Sequence, residues 1–198
     1  MEHLVTLGLI FLNLFMLVGT VDLFYYHIWK YKLHTRPESR YEHKLHMAFA
    51  FLMVPIGYLL YYQNLGGYGL WAAVFFVGAA LVTEMLDVFT EGDSRASLGG
   101  LSTGEYSIHV AATILKVASF AFMFGSKPLA AWSLSSPVVL GTYGWMAEAM
   151  GLQVMVGSFL VGVLHLVLLN RKVGTVTCRD TVGAVAKCDK YSCCATAQ

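Results

Sequence analysis

Charged residues are scarce in this chain of 198 residues. Only 13% of the residues are Asp, Glu, Lys or Arg, whereas 57% are apolar, and the formal net charge is +1. Soluble domains carry about 25% charged residues, so this composition excludes a single soluble domain that hides its apolar side chains in one core. A net charge this small also argues against nucleic acid as a partner, since phosphate binding needs a basic surface. The composition favours an integral membrane protein whose partner is the lipid bilayer.

Cysteine is absent from the first 177 residues, and this excludes thiolate-ligated metal sites from the apolar part of the chain. The four cysteines are Cys178, Cys188, Cys193 and Cys194. Their spacing matches no zinc pattern with Cys-x-x-Cys pairs. We expect residues 171–198 to form a cytoplasmic tail in which the cysteines are reduced. Lipidation and weak metal capture are alternatives, and two disulfides would follow if the tail faced outside.

The N-terminal segment lacks the features of a cleaved secretory signal. Glu2 and His3 stand where a signal peptide has basic residues, and the apolar run that follows continues without a small-residue cleavage site. Secretory signals have a basic start and a shorter apolar run. We therefore expect the first apolar run to be retained as a membrane span.

Five apolar runs are long enough to cross a bilayer, which takes about 20 residues in a helix. They cover residues 4–29, 44–62, 69–90, 105–126 and 151–170. Pro128, Pro137, Gly141 and Gly144 break the stretch from 127 to 150, which fits a short re-entrant or surface helix better than a span. The sequence therefore predicts an all-α transmembrane bundle of about five helices over residues 1–170.

The basic residues lie on one side of these spans. Five of the thirteen lie in residues 30–44, one is Arg95, and five lie in residues 171–198. The positive-inside rule assigns that side to the cytoplasm. We expect the N-terminus outside, the C-terminus inside, and a multi-pass protein of a bacterial inner (plasma) membrane.

Two capping boxes predict helix starts at the connections that are assigned to the cytoplasm. A hydroxyl residue followed three positions later by Glu marks a helix start. Thr35 with Glu38 predicts the start of the second helix, and Ser102 with Glu105 predicts the start of the fourth.

Ionisable side chains inside spans are energetically expensive and usually mark function or a buried pair. A rise of 1.5 Å per residue, counted from the predicted span ends, places one such residue of each helix about 8 to 12 Å from the cytoplasmic edge. These residues are Asp22, His46, Glu84, His109 and His165. We expect them to form one polar layer across the bundle.

Helical spacing indicates which ionisable residues share a face. Glu42 and His46 are four residues apart, as are Glu105 and His109, whereas Glu84 and Asp87 are three apart. Residues at these spacings lie on one side of an α-helix. Asp22 and His27 are five apart, about 140° around an α-helix. We therefore expect Asp22 to face the centre and His27 to face the rim.

Carboxylate and imidazole ligands suit iron, manganese or zinc. The pattern resembles di-iron and di-manganese bundle proteins, in which two helices each carry Glu-x-x-His and two others contribute single acids. Glu42/His46 and Glu105/His109 match the paired elements with a longer Glu-x-x-x-His spacing, and Glu84 with Asp22 or Asp87 would supply the remaining acids. The resemblance implies a metal site of one or two ions at the cytoplasmic side, for oxidation chemistry on a lipid-soluble substrate.

Three other functions use the same residues. His46 and His109 could be the axial ligands of a b-type haem. The acids and histidines could form a proton or cation pathway with Lys116, which needs an acid partner unless it snorkels to the interface. The chain could also be an accessory subunit of a larger energy-transducing membrane complex, since Ala72–Ala73 and Gly78–Ala80 give span three a small-residue face.

The loop below the polar layer contains Arg95 within residues 91–100. Its charged side chains could lock the loop to the helix ends or admit a substrate. A solvated turn is the simpler interpretation.

Overall fold

A computed structural model describes residues 2–170, 177–179 and 185–187, and five long helices form most of it. The helices are α1 (Glu2–Val21) continued by a π-helical segment (Asp22–Lys30), α2 (Arg40–Ile56) continued by a second π-helical segment (Gly57–Tyr62), α3 (Gly67–Ser94), α4 (Thr103–Gly125) and α5 (Trp145–Asn170). Each is long and apolar enough to cross a bilayer. This confirms the all-helical architecture with five candidate spans and indicates a membrane protein.

Helix starts differ from some of the predicted ones. Ser102 is the N-cap of α4, and its Oγ accepts a hydrogen bond of 3.3 Å from the backbone N–H of Glu105. The predicted cap at Thr35 is wrong, because its hydroxyl donates to the carbonyl of Lys32 and α2 begins only after Ser39.

One end of the bundle is closed by short loops, and we call it the Lys127 end. Strand β1 (Asn64–Leu65) pairs with β2 (Val139–Gly141) in antiparallel orientation. The Nζ of Lys127 donates to Asn64 Oδ1 at 2.8 Å and to the carbonyl of Leu65 at 3.0 Å. Burial lowers the pKa of Lys127 to about 8. These contacts tie the two loops of this end together.

No re-entrant or long surface helix forms within residues 127–150. The segment contains a 3₁₀ turn (Leu129–Trp132), β2 and the first turns of α5, which begins at Trp145 rather than at 151. Pro128 precedes the 3₁₀ turn and Pro137 follows it, and proline disfavours a helical residue before it. Of the re-entrant or surface helix that the sequence suggested, only this single 3₁₀ turn is present.

Only part of the predicted tail is described. Strand β3 (Thr177–Arg179), which contains Cys178, pairs with β4 (Val185–Lys187). Cys188, Cys193 and Cys194 lie outside the described residues. The cytoplasmic side of the tail and the N-out, C-in orientation stay predictions.

The helices are arranged so that α2 packs along both α3 and α5, whereas α1 packs along α4. Toward the Lys127 end, apolar side chains of all five helices form one core, which includes Leu12, Ile56, Leu60, Ala80, Phe120 and Val154. Toward the opposite end, which we call the Arg95 end, the helices surround a cavity of about 390 Å³. The ionisable side chains lie around this cavity and between it and the Arg95 end.

Candidate metal centre

Arg95 follows α3 directly and is fully buried. Its guanidinium donates to both carboxylate oxygens of Glu42, at 2.6 and 3.0 Å, and to Glu105 Oε1 at 2.5 Å. Burial by itself lowers the pKa of Arg95, but the hydrogen bonds and charges of Glu42 and Glu105 raise it above its usual range, so the guanidinium stays charged. The loop is locked to the starts of α2 and α4, and the solvated-turn interpretation is wrong.

His27 lies in the centre of the bundle and not at the rim. Its side chain is 1% exposed, and its Nδ1 lies 3.1 Å from the carbonyl oxygen of Asp22 and 3.5 Å from Asp22 Oδ2. The reason is the π-helical segment, in which hydrogen bonds join residues five apart and so bring residues i and i+5 to one face. The expectation for His27 was wrong because it assumed α-helical rotation.

Both ring nitrogens of His27 face oxygen atoms. Its Nε2 lies 3.1 Å from Glu42 Oε1, and its Nδ1 faces the carbonyl of Asp22. A carbonyl or ionised carboxylate oxygen only accepts hydrogen bonds, and a neutral imidazole has one N–H to donate. A neutral His27 can donate from Nδ1 to the carbonyl of Asp22 and accept at Nε2 from Arg95 Nη2, 3.4 Å away. A metal ion on Nδ1 would instead leave Nε2–H free to donate to Glu42.

His109, on α4, approaches the carboxylate of Asp22. Its Nε2 lies 3.1 Å from Asp22 Oδ1, and its Nδ1 lies 2.6 Å from Glu91 Oε1. The Glu91 oxygen lies off the direction in which Nδ1 would donate. Asp22, His27 and His109 each place one potential ligand atom within 4.8 Å of the others. We call these three residues the Asp22 group.

A second set of three, His27, Glu42 and His46, meets the same distance limit. His46 Nε2 lies 2.8 Å from Asp87 Oδ2 and 3.9 Å from Glu42 Oε1. However, Glu42 is already neutralised by Arg95, whose Nη2 lies 3.4 Å from His27 Nε2. A cation at this set would lie beside a guanidinium, so the Asp22 group is the better metal site.

Of the other predicted ligands, Glu84 and Glu105 lie apart from both sets, whereas Asp87 contacts His46. Glu84 forms an ion pair with Lys116 and accepts a hydrogen bond of 2.6 Å from Thr113 Oγ1. Lys116 thus has the acid partner that a buried lysine needs, and with 3% of its side chain exposed it does not snorkel. Glu105 contacts Arg95 and not His109. The two Glu-x-x-x-His pairs therefore do not meet as one set of four ligands.

Sequence reasoning missed Glu91 although the pattern contains a signal for it. Glu84, Asp87 and Glu91 are spaced by three and four residues, which places them on one face of α3. Glu91 is 6% exposed and faces into the bundle. A buried histidine pair was also missed: His43 and His165 approach each other with their Nδ1 atoms 3.0 Å apart, between α2 and α5.

The cavity adjoins the Asp22 group. Asp22, His46, Asp87, Glu91 and His109 line it on the side of the Arg95 end, together with Glu84, Lys116 and His165. Phe15, Met16, Phe49 and Met53 line the side of the Lys127 end. A molecule in the cavity would therefore contact apolar side chains at one end and potential metal ligands at the other.

The fold and the site define a class: an all-helical protein with five helices able to cross a bilayer and a histidine–carboxylate group within them. Comparisons with protein-family models, with curated proteins and with solved structures found no match. Any functional conclusion therefore rests on the chemistry of the described residues.

Proposed function

We propose that the Asp22 group binds one divalent transition-metal ion, which is iron, manganese or zinc, and that the ion acts on an apolar, lipid-soluble molecule held in the cavity. The observation that carries the proposal is a second carboxylate at each histidine. With the ion on Nδ1 of His27 and Nε2 of His109, Glu42 Oε1 lies 3.1 Å from the other nitrogen of His27, whereas Glu91 Oε1 lies 2.6 Å from that of His109 but off its N–H direction. Metal-binding histidines are typically oriented by such carboxylates.

The spacing of the ligand atoms supports the same site. Two neighbouring ligands with bonds of about 2.1 Å to one ion are about 3.0 Å apart in octahedral and about 3.4 Å apart in tetrahedral geometry. Asp22 Oδ1 and His109 Nε2 are 3.1 Å apart, and Asp22 Oδ2 and His27 Nδ1 are 3.5 Å apart. Each histidine therefore lies at ligand spacing from one oxygen of Asp22, and the three residues can place their ligand atoms within 4.8 Å of one another.

The balance of charge also favours a cation. The described part of the cavity and its surroundings contains the carboxylates of Asp22, Glu42, Glu84, Asp87, Glu91 and Glu105, whereas Arg95 and Lys116 are the cationic side chains that pair with them. Unpaired carboxylates are expensive in a medium of low polarity. A divalent ion at Asp22 offsets part of the excess, and protons on histidines would offset the rest.

The apolar wall of the cavity suggests the substrate class. Iron or manganese held by carboxylates and imidazoles supports oxidation chemistry, and a membrane-embedded cavity favours a lipid-soluble substrate. A volume of about 390 Å³ suits one small molecule. On this proposal the site lies at the cytoplasmic side of a bacterial inner membrane.

Metal analysis of the detergent-purified protein tests the proposal. We expect near-stoichiometric iron, manganese or zinc by inductively coupled plasma mass spectrometry. The variants Asp22→Asn and His109→Gln should lower metal affinity at least about tenfold, because each removes a ligand. His165→Gln is the matched control, since His165 is a buried histidine beside the same cavity that contacts His43 and not Asp22.

Several outcomes would overturn this function. If the wild-type protein binds none of the three metals even after reconstitution, the proposed metal site is contradicted, and the proton or cation pathway or the accessory-subunit role gains support. A Soret band with iron would instead favour a b-type haem on His46 and His109. Equal metal loss in His165→Gln, with all three variants folded, would contradict ligation by the Asp22 group.

A further inference from the structure

The cavity is closed along the bundle axis in both directions. Toward the Arg95 end, His27, Glu42 and Arg95 are all 2% exposed or less. Toward the Lys127 end, the residue one helical turn beyond the last lining residue is buried on every helix: these residues are Leu12, Ile56, Ala80, Phe120 and Val154. A molecule that reaches the cavity must therefore pass between helices.

The boundary between α3 and α4 is crossed by polar contacts at the depth of the cavity. Glu84 accepts from Thr113 and pairs with Lys116, and Glu91 lies against His109. Separating these helices would expose paired charges to hydrocarbon, which is expensive. This boundary is a poor route for an apolar molecule.

The boundary between α1 and α5 has the opposite character. These two helices contact each other over a short stretch only. Among the described residues, the one side-chain hydrogen bond between them joins Asn13 to Met150 and lies nearer the Lys127 end than the cavity does. Gly19 of α1 and Gly157 of α5 both line the cavity, and a Cβ added at Gly19 would meet no other part of the chain within 4 Å.

The cavity wall reaches the outer surface of the bundle beside these glycines. Thr20 is exposed, and Phe24 is 53% exposed although it also lines the cavity. Open space next to a lining glycine, on a boundary that no side-chain hydrogen bond of the described residues crosses at the depth of the cavity, is what a lateral opening requires.

We infer that the cavity binds small, uncharged, apolar molecules dissolved in the bilayer, and that they enter sideways between α1 and α5 past Gly19 and Gly157. An uncharged molecule fits because charge is expensive in hydrocarbon. Only the reaction that follows binding rests on the proposed function. Entry into the cavity and binding there require no metal.

Photolabelling in lipid nanodiscs tests the entry route. The probe is an uncharged decane-derived diazirine dissolved in phosphatidylcholine, and labelled residues are mapped by mass spectrometry. We expect labels on Met16 and Phe49, which line the cavity, and on Phe75, which is 68% exposed on the bundle surface and serves as the reference. Gly19→Phe should lower cavity labelling about fivefold or more relative to Phe75, because a phenyl ring would fill the opening.

Gly78→Phe is the matched control. Gly78 also has open space around it, but it lies on α3 and does not line the cavity. Gly157→Leu is a second test, since its added Cβ would meet the flexible end of Met16 at 3.3 Å. We expect the control to label as the wild type does and Gly157→Leu to lose cavity labels.

Two results would overturn the inference: cavity labelling of the wild type at background level, or unchanged labelling in both Gly19→Phe and Gly157→Leu. The measurement is repeated on Asp22→Asn to separate this inference from the proposed function. If Asp22→Asn binds no metal but its cavity is still labelled, the lateral route is supported independently of the metal site. In the wild type, normal labelling without metal contradicts the proposed function alone, and metal binding with background labelling of the cavity contradicts this inference alone.

Discussion

From the Lys127 end to the middle of the bundle, apolar side chains of five helices pack together, whereas from the middle to the Arg95 end the helices are joined by ion pairs around a cavity. The first half has few groups that can do chemistry. The second half contains carboxylates, imidazoles and space for a ligand. In lipid, apolar side chains gain little by moving from hydrocarbon into a core, so packing supplies much of the stability. The comparison indicates that one half of this protein stabilises the bundle and the other half is shaped for binding.

The largest effect is expected at the ion pairs of the Arg95 end. Arg95→Met would leave Glu42 and Glu105 buried without their cation, and breaking a buried pair in this way costs about 3–5 kcal/mol of unfolding free energy. Thermal unfolding in detergent measures the loss. The triple variant with Glu42→Gln and Glu105→Gln should recover part of it, because it removes the unpaired charges.

Arg36→Met is the control for this substitution. Arg36 lies 3.8 Å from Glu38 with both side chains about one-third exposed, and such pairs contribute little. A melting temperature of Arg95→Met equal to that of the control would contradict a stabilising role for the ion pairs.

A smaller effect is expected from removing packing in the apolar half. Leu60 is fully buried, and Leu60→Ala should cost about 2 kcal/mol, the low end for core leucines, since lipid offers the unfolded side chain an apolar environment. Met16 lines the cavity and already lacks neighbours on one side, so Met16→Ala should cost less than about 1 kcal/mol. Chemical unfolding in mixed micelles compares the two. The reverse order would contradict the division into a packed and an open half.

The smallest effect of a substitution near neutral pH is expected at Lys127 at the packed end, whose contribution depends on pH. Burial lowers its pKa to about 8, from 10.5 in a freely solvated lysine. The unfolded chain therefore binds the proton more tightly, and the unfolding free energy should rise as the pH increases from 8 to 10.5. Lys127→Met removes this contribution but also loses the hydrogen bonds to Asn64 and Leu65, so the two changes largely cancel near neutral pH.

Melting temperatures of wild type and Lys127→Met, taken from about pH 7 to about pH 10, separate this lysine from other titrating groups. We expect the wild type to gain stability relative to the variant across that range. A constant difference would mean that Lys127 titrates as it does in water.

Much of the fold was predictable because hydropathy and length determine membrane spans directly. The five apolar runs became the five helices, and the box at Ser102 became the cap of α4. The common depth of Asp22, His46 and His109 was also predictable, because rise per residue depends little on the neighbours of a helix. The contacts of His109 with Asp22 and Glu91, and of His46 with Asp87, show that ionisable side chains of different helices meet in the bundle.

The pairing of these side chains could not be predicted in the same way. Helical spacing locates a face but does not determine which neighbouring helix it meets, so Glu105 was assigned to a metal and not to Arg95. The end of α3 was equally uncertain, and with it the position of Arg95, which depends on the helix continuing to Ser94.

The sequence by itself determined that the chain forms five apolar helices and that ionisable residues of several helices lie in the same half of the bundle, because both properties follow from residue type and spacing along a helix. Only the tertiary structure decided that His27 faces the centre, since this depends on a change from α- to π-helical winding at Asp22. Only the tertiary structure decided that Arg95 neutralises Glu42 and Glu105, because that contact joins three segments whose distance apart is set by packing.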